Sequence, residues 1–320
     1  MPQLKFTTLD VFTSTRYKGN PLAVVHLPPS PIPTSTLQLI AREFNLSETV
    51  FLSPYPLGTI RIFLPHTEIP FAGHPVIGTA CLLGPKITTL YCPAGPIKIS
   101  HTTAPNKTVT TAAEIPHAFH LHTGSLSKDE VATLQPSLPL AEVEDIQTIS
   151  PVRGMNFVAV RLTSVEVLGR VGVGGKMPYA RLDKGAWGAG FVGGLFYTFP
   201  SHEGEGGGGM LRDEVFHKTL RETLRVRMRM IEGKFEDPAT GSAAVALGMF
   251  LSLQEKKRTR GYEILQGVEM GRESHISVNV ELDEACERVE KVELIGTAVK
   301  VMDGVLECDQ DDGNDGNDDD

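Results

Sequence analysis

Glu68-Ile69-Pro70-Phe71-Ala72-Gly73-His74 and, 168 residues later, Glu236-Asp237-Pro238-Ala239-Thr240-Gly241-Ser242 follow one frame, Glu-x-Pro-x-x-Gly. Each runs into apolar sequence. The first passes through Pro75, a residue suited to a first helical turn, into Val76-Ile77-Gly78-Thr79-Ala80-Cys81-Leu82-Leu83. The second enters Ala243-Ala244-Val245-Ala246-Leu247-Gly248-Met249-Phe250-Leu251. A helix that is apolar all round is surrounded by protein. The repeat predicts two buried helices, each entered through the same kind of loop.

Working outward, Lys18-Gly19-Asn20-Pro21-Leu22-Ala23-Val24 resembles Arg153-Gly154-Met155-Asn156-Phe157-Val158-Ala159-Val160 at an offset of 136. Two pairs in the same order indicate an internal duplication, with insertions in the second copy. The Gly-rich stretch 201–209 is the natural place for one. Alternation or short apolar runs predict strands at Leu4 to Phe12, Leu22 to Val25, Glu48 to Leu52 and Ile60 to Leu64. Tyr17 to Pro21 reads as a turn. Leu37, Ile40, Ala41 and Phe44 repeat at helical spacing after Pro33-Thr34-Ser35-Thr36, which supplies the N-cap candidates, and Asn45-Leu46-Ser47 ends that helix. The expected fold is α+β: two similar mixed α/β domains related by a pseudo-twofold, each a sheet wrapped around a central buried helix. The expected domains are 1–124, completed by a C-terminal strand over 292–303, and 125–291. An acidic tail over 309–320 cannot bury anything and is expected to be disordered.

With 320 residues, 41% of them apolar, the chain can bury a sizeable core. The net charge is −9, but seven aspartates fall in the last dozen residues, so the body is nearly neutral. A neutral body offers no basic face for nucleic acid. Cys81, Cys92, Cys286 and Cys308 show neither disulfide-scaffold nor metal-ligand spacing. The N-terminus reads straight into strand pattern, and no apolar run is long enough to span a membrane. These features predict a cytoplasmic protein with reduced thiols and no membrane or nucleic-acid partner.

A loop ending in glycine at a helix start presents unpaired N–H groups at the positive end of the helix dipole, which suits a carboxylate. Two such starts facing each other would form one cleft, with Gly73 and Gly241 letting a ligand approach the backbone. His74 and Ser242 take equivalent places, and Asp237 lies just upstream. An imidazole, a hydroxyl and an acid around an anion hole suit proton transfer beside a carboxylate. Each also has an ordinary use: Asp237 in a turn, Ser242 as an N-cap, His74 in a loop, Glu48 at a solvated strand end. His117-x-x-His120-x-His122 has metal-like spacing, but an exposed strand or loop explains it and no metal is expected. Gly172-Val173-Gly174-Gly175 lacks the context of a phosphate loop. Arg221, Arg225, Arg227 and Arg229 fit a strand with one wet face.

Four motifs then resemble one family. They are Tyr17-Lys18-Gly19-Asn20-Pro21-Leu22-Ala23-Val24, Asn45-Leu46-Ser47-Glu48-Thr49-Val50-Phe51, Pro70-Phe71-Ala72-Gly73-His74-Pro75-Val76-Ile77-Gly78-Thr79 and Phe235-Glu236-Asp237-Pro238-Ala239-Thr240-Gly241-Ser242-Ala243-Ala244. Together they resemble the PhzF-like (phenazine biosynthesis) family. Gln266-Gly267-Val268-Glu269-Met270-Gly271-Arg272 is similar to its late motif. The resemblance implies the diaminopimelate-epimerase-like fold, a homodimer, and isomerisation of a small unsaturated amino or hydroxy carboxylic acid by acid/base proton transfer without cofactor. It assigns Glu48 as the proton shuttle, with His74, Asp237 and Ser242 lining the site. Gly73, Gly241, Asn20, Gln266 and Gly267 are assigned to substrate binding. Racemases of this fold carry paired cysteines where this chain has Gly73 and Gly241. The alternatives are a binding protein that kept the cleft, or a racemase with non-cysteine bases. The chain departs from the family at Arg227-Met228-Arg229-Met230-Ile231-Glu232, where Arg-x-Phe-x-Pro is usual, and at Glu273, where proline is common.

Overall fold

The structure is a computed structural model that describes residues 3–103, 109–174, 181–200 and 223–308. Gly175, the stretch 201–209, Arg221 and the tail 309–320 lie outside the described residues.

The duplication read from two motifs extends to strand order. In the first half the order is Ala298–Glu307, Gln3–Val11, Asn20–His26, Thr49–Leu52, Ile60–Phe63 and Glu68–Ile69. In the second half His120–Leu121, Val143–Val152, Met155–Leu162, Phe191–Thr198, Thr223–Glu232 and Phe235–Asp237 follow the same plan. Along both series the step between the third and fourth strands is parallel and the others are antiparallel. The final hairpins match in register as well. Ile62 pairs with Ile69 and Phe63 with Glu68, as Met230 pairs with Asp237 and Ile231 with Glu236.

The halves are joined through one sheet. Val289–Gly296 pairs with Ser274–Leu282 on one side and with Val109–Glu114 on the other. The expected boundary at residue 291 falls inside this strand. The strand that pairs with Gln3–Val11 is Ala298–Glu307.

Two helices sit at the centre, Gly73–Leu83 and Gly241–Glu255. From Gly73 to Ala80 every residue is buried, and so is every residue from Ala243 to Ser252. Their all-round apolar sequence is explained by sheet strands on every side and by one core running through both halves, in which Val76, Ile77 and Ala80 join Ala243, Val245 and Leu247. Two smaller apolar clusters lie elsewhere. Thr34–Phe44 contributes Leu37, Ile40 and Ala41 to one, with Val25, Phe51 and Phe63. Lys128–Leu134 and Val165–Leu168 contribute Val131, Val167 and Leu168 to the other. The N-cap of Thr34–Phe44 is Pro33, with no side-chain cap, rather than a hydroxyl residue. Its C-terminus is Asn45 in the left-handed conformation, which asparagine tolerates well.

Candidate active site

The two central helices begin against each other. A Cβ on Gly73 would lie 3.4 Å from Gly241 Cα and 2.8 Å from Leu294 Cδ2; one on Gly241 would meet Gly73 Cα and the same leucine at the same distances. A side chain at either position would require Leu294 to shift. The caps are Ala72 and Thr240, neither with a side-chain cap bond. Ser242 is thus the second helical residue and not an N-cap. The first N–H groups of both helices have no intrahelical acceptor. A small cavity of about 20 Å³ opens here, lined by Gly73, Gly241 and Ser242 and walled by Phe71, Ile115, Met155 and Leu294; Glu48, His74 and Asp237 do not line it.

Around these helix starts the chain gathers Glu48, His74 and Asp237. Glu48 Oε2 lies 3.3 Å from His74 Nδ1. Asp237 Oδ1 accepts from Asn20 Nδ2 at 2.9 Å, and Asp237 Oδ2 accepts from the Thr240 hydroxyl at 2.6 Å. Asn20 Nδ2 also donates to the Ala239 carbonyl at 3.0 Å, while Asn20 Oδ1 accepts from the Ser47 hydroxyl at 3.4 Å. Asn20 so ties the residue before Glu48 to the loop after Asp237, joining the two halves.

Burial dominates the electrostatics. Desolvation pushes the Glu48 carboxyl up to about 7, against a smaller lowering by the Ser47 hydrogen bond. Desolvation, then the Glu48 charge, pushes Asp237 up to about 7, against the Thr240 hydroxyl and His74. Desolvation carries His74 down to about 4, so its ring is neutral near pH 7. With the ring neutral, the Glu48–His74 approach is a polar contact rather than an ion pair. His74 Nε2 is buried without a hydrogen-bond partner.

Both Gln266 and Gly267 shape the loop. Gln266 is 1% exposed, and its amide accepts from Thr240 N at 2.9 Å and donates to the Asp237 carbonyl at 2.8 Å and to Thr240 Oγ1 at 3.1 Å. Gly267 has φ +74°, and a Cβ there would meet the Arg272 and Pro238 carbonyls at 2.4 and 2.6 Å. Arg272 closes the turn across the halves, donating to Asp10 at 2.6 Å and to the Gly19 and Lys18 carbonyls at 2.8 and 2.9 Å.

Pseudo-symmetry relates some of these residues and isolates others. His74 corresponds to Ser242. Ala23 pairs with Thr49 as Ala159 pairs with Leu195, so Glu48 corresponds to Gly194. The matching hairpin registers make Ile69 the counterpart of Asp237. Each half thus supplies one carboxylate that the other lacks.

The arginine strand has a drier face than expected. Arg225 is exposed and Arg227 pairs with Glu269, but Arg229 is only 5% exposed, because Glu236 neutralises it and two backbone carbonyls accept from its Nη1. Sequence reading placed Arg229 on the wet face of a strand, although the offset of 168 maps it onto Arg61. It overlooked Thr240 and Ser47, which touch Asp237 and Asn20.

Among the described residues, His120, His122 and Asp183 converge, their ligand atoms within 4.8 Å of one another. His117 is not part of this group; its ring bonds the Ile115 and Val289 carbonyls. His122 accepts from Asp183 N at 3.0 Å through Nδ1 and meets the Ser150 hydroxyl at 2.8 Å through Nε2. Both its nitrogens are engaged within the protein, so the cluster holds a loop as it stands.

A pseudo-symmetric pair of sheets around two abutting helices is the architecture of the diaminopimelate-epimerase-like fold, seen also in solved racemase and epimerase structures. The sequence matches the profile of the PhzC-PhzF family, described as phenazine biosynthesis-like protein, over residues 9–172 and 218–304, and the chain belongs to that family. It is 33% identical to an uncharacterized isomerase of Mesorhizobium japonicum, over 96% of this chain and 99% of the relative. It is 30% identical to the trans-2,3-dihydro-3-hydroxyanthranilate isomerase of Pseudomonas fluorescens, over 94% and 98% of the two chains. A crystal structure of a PhzF-family protein from Bacillus anthracis superposes with a TM-score of 0.76 at 19% identity, covering 96% of this chain and all of the other. The chain is an isomerase acting on a small molecule. No helix among the described residues is long and apolar enough to cross a membrane.

Proposed function

We propose that this isomerase moves a proton within a small unsaturated carboxylic acid bearing an amino or hydroxyl group, with Glu48 as the shuttle and no cofactor. The observation that carries this reading is the convergence of half-buried Glu48 and buried His74 and Asp237 at two abutting helix starts, where desolvation pushes both carboxyls up to about 7. A carboxylate in the ordinary range is too weak a base for such work, whereas one near 7 can take and return a proton at neutral pH.

The substrate carboxylate sits at the N–H groups of Gly73, Gly241 and Ser242. Glu48 takes a proton from a saturated carbon next to the double bond. The electron pair moves along the conjugated system, and Glu48 returns the proton at its far end. Reactant and product have the same atoms, so no oxidant or reductant is involved. Near neutral pH Glu48 and Asp237 hold about one proton between them, so the pair can accept at one site and donate at the other. His74 Nε2 accepts from the substrate's amino or hydroxyl group. The Ser242 hydroxyl lies at the pocket wall. Asn20, Gln266 and Gly267 hold the loops that carry these groups.

The Pseudomonas fluorescens relative supplies the first compound to try, trans-2,3-dihydro-3-hydroxyanthranilate. The test incubates the protein with that acid and with a panel of other dihydroaromatic and acyclic unsaturated acids, following double-bond position by NMR. A shifted double bond without loss of mass is the expected result. Inversion at a stereocentre with the double bond unmoved would replace this reading with epimerisation. The family resemblance further supports a homodimer, which light scattering checks as a particle of twice the 34.7 kDa chain mass.

A further inference from the structure

The internal repeat also duplicates an ion pair. Arg61 Nε and Nη2 donate to the two oxygens of Glu68 at 2.8 and 2.6 Å. Arg229 Nε and Nη2 donate to the two oxygens of Glu236 at 2.8 and 2.7 Å. Arginine and glutamate are seven residues apart in both, and both pairs map onto each other at the offset of 168 that relates the helix starts. Each joins the two strands of the hairpin whose end feeds a central helix.

The copies differ in depth and in their third contact. Arg61 and Glu68 keep 30% of their side-chain exposure, and Arg61 reaches the Thr34 hydroxyl at 3.0 Å. Arg229 and Glu236 keep 6% and 10%, and Arg229 Nη1 donates to the Leu168 and Val171 carbonyls. Exposed pairs contribute little, whereas a buried bidentate pair with further backbone acceptors fixes geometry and tolerates no loss of a partner. Glu236 is the neighbour of Asp237, and the Asp237 carboxylate and carbonyl hold Thr240, the cap of the second helix, through its hydroxyl and through Gln266.

We propose that Arg229 and Glu236 are positioning residues of the active site: their fork fixes the hairpin that carries Asp237 and the start of helix Gly241–Glu255, while Arg61–Glu68 is its weaker symmetry mate. The proposal rests on the reading of Asp237 as a site residue. Its test does not depend on substrate turnover, so its failure and the failure of the isomerisation reading are separable.

The variants are Arg229→Lys, which keeps the charge and loses the two-pronged geometry, and Arg61→Lys as the matched control. The readouts are amide hydrogen exchange by NMR and the ¹³C titration of the Asp237 carboxyl. In Arg229→Lys, Thr240 N–H exchanges at least about tenfold faster while Leu247 in mid-helix keeps its protection, the signature of local rather than global opening. The Asp237 midpoint falls from about 7, because water reaches the loosened loop. Arg61→Lys changes neither. If Arg229→Lys does not fold, Glu236→Asp, which shortens the carboxylate by one methylene, is read in the same way. Unchanged Thr240 exchange and Asp237 titration in a folded Arg229 or Glu236 variant would overturn the proposal. So would an equal loss of protection along the whole helix.

Discussion

Glu48 and Asp237 carry opposite consequences for activity and for stability. Both are raised to about 7 in the folded chain, against roughly 4 in an unfolded one. The folded state therefore holds protons that the unfolded state has released. The stability these groups contribute is full below about pH 4 and is lost as pH rises through 7. Glu48→Gln removes one such penalty. The variant should gain stability over wild type at pH 8 relative to pH 5, by up to about 3 kcal/mol, in paired urea titrations at the two pH values. His74 has the reverse sign: held down to about 4, it contributes stability above about 6.5 that is lost as pH falls toward 4. At this scale the sequence was readable where chemistry showed in residue type. Glu48, His74, Asp237 and Ser242 were named as candidates, the first through a family motif, and the fold places them at the two helix starts. Asn20 and Gln266 were expected to bind substrate, and their amides also hold Asp237, Ala239 and Thr240. Residue type does not reveal which way an amide faces.

The helix start is the element on which the site depends, and glycine there is a packing requirement. Gly241→Ala sets a methyl 2.8 Å from Leu294 Cδ2. Overpacking of this kind costs about 1–3 kcal/mol. Leu294→Ala in the same chain should recover part of the loss in thermal midpoint, although each change alone destabilises. Independent, additive effects in that double-mutant cycle would show that the two sites do not touch. The repeated Glu-x-Pro-x-x-Gly frame made both helix starts legible, because a tight loop into a buried helix leaves few choices of residue. The plain alternation of Arg225, Arg227 and Arg229 pointed the other way for Arg229. A strand pattern reports which face a residue takes, whereas the Glu236 carboxylate that lets this arginine be buried comes from the next strand.

For the whole molecule, the duplication set the architecture and its breaking set the chemistry. Two copies of one plan could be read from motif offsets of 136 and 168. Their fusion could not. Val109–Glu114 and Val289–Gly296 pair across about 180 residues, and no local pattern announces such a partner. Asp10 and Arg272 join the halves in the same way, with Asp10 only 4% exposed. Arg272→Met leaves that carboxylate unpaired, and a loss of about 3 kcal/mol or more is expected in urea unfolding. A loss near zero would mean that the turn at 267–272 is held by its backbone alone. The central claim is that Glu48, which has only Gly194 as its counterpart, carries the migrating proton. The most direct measurement is mass spectrometry of trans-2,3-dihydro-3-hydroxyanthranilate recovered after incubation in D₂O with wild type and with Glu48→Gln. Deuterium on carbon in the wild-type product, absent with a folded Glu48→Gln protein, is the predicted result. Equal deuterium incorporation by both proteins would contradict it.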